Sequence, residues 1–424
     1  MFLPIVAAVI ALPLSGAASW HDPQKVLSPT KPPSSFIDSS IFGRRSIAAL
    51  NLRTPEVLPP TRDSEIHQFQ TLATFAHLDF TDCTQFENSG TFDIGIVGHP
   101  FDLGVSYRPG ARFGPNGARQ GARRMSPASG WDMDHGGVNP FRNWATVTDC
   151  GDISNTPFDK LVAIHELEQG MRAIHKLQAK NVSTSDAVRL ITIGGDHTIS
   201  EYTSTVLAGA ILIFHAALPI LRALHSTWGR VAVLHFDSHL DTWDPKQLGG
   251  GLTKYSEVNH GTMLHIAHEE GLLSNHSNMH QGSRCTLFDE HFDLDNDLRC
   301  GFSYIRAREL DTLGVDKIIK RIVETVGDSY VYLSVDIDVL DPAFAPATGT
   351  IEPGGWTTRE LMQIIRGLSD AGLKIVGSDV VEFTPIYDNA AETTGIAVAQ
   401  IVYEILHWMV SRLTTITVLL YARE

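Results

Sequence analysis

The sequence predicts an α/β fold in which a mainly parallel sheet is covered by helices. Three observations carry this. Apolar runs of strand length alternate with longer stretches of helical periodicity along the 424 residues. The runs are apolar at successive positions rather than at every second one, as in strands buried on both faces of a parallel sheet. Four of them stop at acids or histidines, and in an open parallel sheet the carboxyl ends of the strands face one crevice.

In chain order, residues 1–18 join an apolar stretch to a small-residue end, Ser15-Gly16-Ala17-Ala18. That is a secretory signal pattern, and it is short for a membrane span. An N-terminal extension follows at 19–90, rich in Pro, Ser and Thr as far as Pro60, and the main domain is expected over 91–412 with a tail at 413–424. The first legible strand is Phe92-Asp93-Ile94-Gly95-Ile96-Val97-Gly98, running into a Gly-rich turn. Residues 158–179 read as an amphipathic helix, 189–193 as a strand and 218–225 as a helix. Between these last two, residues 201–216 form an atypical insertion whose apolar run at 206–214 is too short to cross a bilayer. Further strands are expected at 230–236, 330–335 and 373–377, and no repeat of fixed period appears.

Lys and Arg number 33 against 48 Asp and Glu, a formal charge of −15 that disfavours nucleic acid and anionic membranes as partners and admits a small cation. The signal pattern predicts a secreted protein with no membrane attachment after cleavage. The sequons Asn181-Val182-Ser183 and Asn275-His276-Ser277 agree with export. An oxidising compartment permits disulfides, and Cys285 and Cys300, which flank a polar acidic segment, are the expected pair among four cysteines.

The four strand ends are Gly194-Gly195-Asp196-His197, Asp237-Ser238-His239-Leu240-Asp241, Asp336-Ile337-Asp338 and Ser378-Asp379-Val380-Val381-Glu382. Alternation along a strand would aim Asp237, His239 and Asp241 to one side, and likewise Asp336 and Asp338. Singly, each piece reads as a helix cap or a solvated strand end. Together, so many carboxylates in one pocket would repel one another unless cations neutralised them. Two imidazoles with four or more carboxylates exceed the needs of one tetrahedral Zn²⁺. Mixed oxygen and imidazole donors suit two Mn²⁺ ions better than Fe²⁺, Co²⁺ or Zn²⁺.

Gly194-Gly195-Asp196-His197-Thr198, Asp237-Ser238-His239-Leu240-Asp241 and the stretch from Ser334-Val335-Asp336-Ile337-Asp338 to Ala343 resemble the three motifs of the arginase/agmatinase/formiminoglutamase (ureohydrolase) superfamily. The resemblance implies a three-layer α/β/α fold and a binuclear manganese centre. Carried over by position, His197, Asp237, Asp241 and Asp336 would hold one ion, and His239, Asp237, Asp336 and Asp338 the other. Ser238 stands where the family usually has Ala. Two ions about 3.5–4 Å apart can lower the pKa of a shared water and aim it at an electrophilic carbon. The resemblance makes Asp241 a hydrogen-bond acceptor for that nucleophile, Glu382 the carboxylate that grips the guanidinium, and His260 the carrier of a proton to the leaving amine. It also implies a homo-oligomer, a trimer or hexamer.

Arg108-Pro109-Gly110-Ala111-Arg112-Phe113-Gly114-Pro115 and His260-Gly261-Thr262 resemble the agmatinase branch. After Asp241, Thr242-Trp243-Asp244-Pro245 stands in place of the polar loop by which arginases hold an amino-acid head. The expected reaction is hydrolysis of agmatine to putrescine and urea. A guanidinobutyrase-type activity and a catalytically inert, secreted cation-binding protein are the alternatives.

Overall fold

The apolar runs pair into one eight-stranded sheet, and every neighbour in it is parallel. The structure, a computed structural model, describes residues 73–185, 187–200 and 219–411. The signal pattern, the insertion at 201–216 and the tail at 413–424 lie outside the described residues.

The strands are β1 (Ile94–His99), β2 (Val147–Asp152), β3 (Arg189–Gly194), β4 (Ala232–Phe236), β5 (Asn278–Ser283), β6 (Phe302–Arg306), β7 (Tyr330–Asp336) and β8 (Lys374–Val381), ordered β2-β1-β3-β8-β7-β4-β5-β6. The longer helices are α1 (Gly114–Gly121), α2 (Lys160–His175), α3 (Pro219–Trp228), α4 (Glu290–Arg299), α5 (Val315–Val326), α6 (Thr358–Asp370) and α7 (Thr393–Ser411). Their starts are written locally. The Asp159 side chain accepts from the backbone N–H groups of Leu161 and Val162, and Thr357 with Glu360 forms a capping box at α6.

Alternate residues of each strand enter two separate cores. Ile94, Ile96, Ile191, Ile193 and Leu234 pack with α5, α6 and α7, while Val97, Leu190 and Val233 pack with α2 and α3. This is the expected three-layer α/β/α arrangement. Each Leu or Ile buried this way stabilises the fold by about 1.5–3 kcal/mol, which is why strands apolar on both faces require both helical layers.

In the stretch expected as an extension, Phe75 is fully buried, its N–H donates to Asp149 Oδ2 at 2.6 Å, and Phe80 bridges Asp149. Residues there cover β2, whose edge would otherwise stand unpaired. The expected Cys285–Cys300 pair needs correction: the disulfide joins Cys83 to Cys150, and Cys285 and Cys300 are free. The acidic segment between the latter two holds α4, whose length of about 15 Å separates Cys300 from Cys285. The sequon at Asn181 is also occupied structurally, since its Nδ2 donates to Asp93 Oδ2 and to the Trp144 carbonyl, both at 2.8 Å.

The site follows from the strand order. The four motif-bearing strands, β3, β8, β7 and β4, are consecutive neighbours, and the register sets Ile193 beside Val380, Asp336 beside Val381 and Phe236 beside Val335. Their carboxyl ends finish level with one another.

Candidate metal centre and active site

Most of the ligand-type residues stand just past the strands rather than on them. β4 ends at Phe236, and residues 237–241 form a turn that closes with Asp241 in the left-handed region at φ 55°. Alternation along a strand is therefore not what gathers Asp237, His239 and Asp241, contrary to the expectation. Hydrogen bonds hold the turn: the His239 N–H donates to Asp237 Oδ1 at 2.6 Å, and the Ser238 N–H and hydroxyl donate to Asp338 Oδ1 at 3.0 and 2.7 Å. Asp336 ends β7 and accepts the Asp338 N–H at 2.8 Å, which turns the chain and brings both carboxylates to the same crevice. Ser238 in place of alanine thus adds a hydroxyl that fixes Asp338.

Two donor groups result, sharing Asp237. In one, ligand atoms of His197, His235, Asp237 and Asp241 all lie within 4.8 Å of one another, and in the other those of Asp237, His239 and Asp338 do. His197 Nδ1 is 3.3 Å from Asp237 Oδ2, 3.1 Å from Asp241 Oδ2 and 3.5 Å from Asp336 Oδ2. His239 Nδ1 is 3.2 Å from Asp237 Oδ1 and 3.0 Å from Asp338 Oδ2. The far edge of His197 is fixed by Ser334, whose Oγ lies 2.7 Å from Nε2 and itself donates to Asp379 Oδ1 at 2.8 Å. That chain makes Nε2 the donor and leaves Nδ1 bare toward the carboxylates.

The electrostatics match a cation site. Burial and the charges of Asp338 and Asp237 push the Asp336 carboxyl well above the usual range. Burial opposes ionisation of Asp237 too, but His235, His197 and His239 outweigh it and hold that carboxyl well below the usual range. His197 Nδ1, His235 Nε2 and Asp237 Oδ2 are buried with no hydrogen-bond partner. Orphaned donor atoms that converge are costly unless something satisfies them, and oxygen and imidazole donors in this number fit divalent cations.

Beside the cluster lies a second corner. Glu382, also left-handed at φ 60°, accepts the His197 N–H at 2.9 Å on Oε1, which lies 3.0 Å from His260 Nδ1. Its Oε2 is buried and unpartnered. A Cβ on Gly349 would come to 3.0 Å from that oxygen, so glycine keeps the space over it open. His260 Nε2 is 2.7 Å from Ser106 Oγ. Burial disfavours the His260 imidazolium, but Glu382 outweighs it and the group is pushed up to about 9. Asp196 is pushed up to about 7 by burial and by the charge of Glu382, while it accepts the N–H groups of Gly104 and Thr198 at 2.8 and 2.9 Å. A cavity of about 170 Å³ is lined by His239, Asp241 and Asp336 of the cluster, by His260, and by Trp243, Phe288 and Glu352 among others. That is room for a small molecule.

The Arginase family model matches residues 92–211 and 215–407, which include all four strand ends. The chain belongs to the arginase family. Among its relatives, "Putative agmatinase 1" of Schizosaccharomyces pombe is 48% identical over 350 residues, 81% of this chain and 83% of that protein. "Agmatinase" of Salmonella paratyphi B is 35% identical over 319 residues, 74% of this chain and 87% of that one. Among solved structures, proclavaminate amidino hydrolase from Streptomyces clavuligerus superposes with a TM-score of 0.65 at 32% identity, covering 80% of this chain and 98% of its own. In this member of the arginase family the match breaks at 212–214, inside the expected insertion.

All eight residues singled out from the sequence come together: His197, Asp237, His239, Asp241, Asp336 and Asp338 around the shared carboxylate, and His260 with Glu382 beside it. Sequence reasoning passed over His235, although its place two residues before Asp237 on a strand was a usable signal. It also passed over Asp196, inside a quoted motif. Ser106 carries no local signal, since only the packing of its loop brings it to His260.

Proposed function

We propose that this arginase-family chain hydrolyses agmatine to putrescine and urea with two Mn²⁺ ions. His197, Asp237, Asp241 and Asp336 would hold one, and Asp237, His239, Asp336 and Asp338 the other. When bound, the ions supply a water of lowered pKa. The observation that carries the reading is the buried, unpartnered Oε2 of Glu382 beside the cluster. An acceptor left open there suits an N–H of a guanidinium, and Oε1, already bonded to the His197 N–H, holds the carboxylate in place. Asp241 orients the attacking water, whose oxygen ends in urea as the bond between the guanidinium carbon and the nitrogen that carries the alkyl chain breaks. His260 delivers the proton that the leaving amine requires.

Support for agmatine over an acid comes from the relatives' names and from the cavity lining, which contains Glu352 and, among the described residues, no lysine or arginine to anchor a carboxylate. Urea release by Mn²⁺-loaded protein should show kcat/KM for agmatine at least about tenfold above that for arginine or 4-guanidinobutyrate. Preference for 4-guanidinobutyrate would overturn the substrate, and bound metal with no urea from any of them would point to an inert binder. We also propose export from the cell. The Cys83–Cys150 disulfide supports it, because such bonds persist in oxidising compartments.

A further inference from the structure

A row of polar side chains runs inward from α4 to the metal cluster, beyond any residue given a role above. Thr242 Oγ1 donates to Asp297 Oδ1 at 2.7 Å, and the same oxygen accepts His280 Nε2 at 2.9 Å. His280 Nδ1 lies 2.8 Å from His235 Nδ1, and His235 Nε2 lies 3.1 Å from Asp237 Oδ2. His235 and His280 are register partners on β4 and β5, and the His280 ring stacks on Phe302 at 4.2 Å. His235, His280, Asp237 and Asp297 are at most 1% exposed.

Burying two imidazoles where a parallel sheet normally places valine or leucine, together with a carboxylate on α4, is unfavourable for stability alone, and apolar replacements usually serve stability as well or better. The arrangement has a direction instead. A carboxylate only accepts, so His280 donates from Nε2 and offers Nδ1 as acceptor to the Nδ1–H of His235. The His235 ring is thereby locked with a bare Nε2 beside Asp237 Oδ2; the two acceptors do not bond one another, and the fixed ring is a wall next to that carboxylate. The far anchor also reaches the other side of the centre, because Thr242 follows the left-handed Asp241 and its carbonyl accepts Asn296 Nδ2 at 2.5 Å.

We propose that Asp297, His280 and His235 are positioning residues for the metal centre, a buried strut from α4 that fixes the imidazole wall beside the shared carboxylate Asp237 and, through Thr242, the turn carrying Asp241. The proposal rests on reading the cluster as a metal centre, and the test separates the two. Mn²⁺ is titrated calorimetrically into full-length, chelator-treated protein, and Co²⁺ absorption spectra report ligand geometry.

His280→Phe keeps a ring on Phe302 and breaks the strut, and it should weaken Mn²⁺ binding about 10–100-fold and alter the Co²⁺ spectrum. Asp297→Ala should do the same. His280→Gln, whose amide can donate to Asp297 and accept from His235, should restore affinity to within about threefold of the parent. A core-filling role would predict the reverse, with Phe tolerated and Gln not. Wild-type affinity and spectrum in His280→Phe, or equal weakening in His280→Gln, overturns the strut while leaving the metal centre. Should His280→Phe fail to fold, the contrast between Asp297→Ala and His280→Gln decides. Wild-type protein that binds no Mn²⁺ overturns the metal centre and the strut with it.

Discussion

The two halves of the donor cluster share Asp237 but sit in different surroundings. Around His197 the donors are all buried, and the imidazole is held from behind by Ser334 and Asp379. Around His239 the site is open: that side chain is 16% exposed, lines the cavity, and belongs to a turn rather than to a strand. A ligand whose second nitrogen is already bonded loses little freedom on binding an ion, whereas one at a cavity wall must be ordered. The inner position should therefore bind more tightly and exchange more slowly than the outer one.

The largest effect should come from what the two halves share. Asp237→Asn removes a charge from both, so metal analysis should find little of either ion and kcat/KM for urea release should fall at least about 10³-fold. Retention of two ions per chain would mean that Asp237 is not the common ligand. A smaller effect separates the halves: His239→Asn should keep one ion and lose the other, with activity down about 10²–10³-fold. Graded chelation of the wild type should likewise remove one ion before the second. Loss of both ions together from the His239 variant would erase the inequality.

Glu382→Gln tests the corner outside the cluster. Both ions should stay, and kcat/KM should fall about 10–100-fold through loss of a charged hydrogen bond to the substrate. Metal loss there would place Glu382 among the ligands instead. The smallest effect is in stability. His260 holds its proton to about 9 in the folded metal-free chain, against an ordinary 6.5. The stabilisation is full below the unfolded value and is lost as pH rises through the folded one, and it amounts to roughly 1–3 kcal/mol. Relative to His260→Asn, the metal-free wild type should lose stability between pH 6.5 and 9 in denaturant unfolding. A constant difference across that range would show that Glu382 does not favour the imidazolium.

Much of this was legible because it is written in residue type. β1, β3, β4, β7 and β8 are continuous apolar runs that nothing but burial on both faces explains, and the ligand-type residues stand immediately beyond four of them. β2, β5 and β6 were not legible. Val147-Thr148-Asp149-Cys150-Gly151-Asp152 and Asn278-Met279-His280-Gln281-Gly282-Ser283 are too polar to read as buried strands. They are buried because partners distant in sequence satisfy them: Arg119 donates to Asp149 Oδ2 and Oδ1 at 2.9 Å each, and His280 meets Asp297.

A helix-covered parallel sheet and a chelating set of side chains are already written in the order of the residues. Apolar periodicity and donor chemistry are local properties, and each residue carries them wherever the chain goes. Long-range packing is what sets β3, β8, β7 and β4 side by side, gives Cys83 rather than Cys285 a partner, and turns His235 toward Asp237. Those are distances between residues far apart in the chain. A strand order, a disulfide and a hydrogen-bonded row each need approach within a few ångströms, which no run of neighbouring residues encodes.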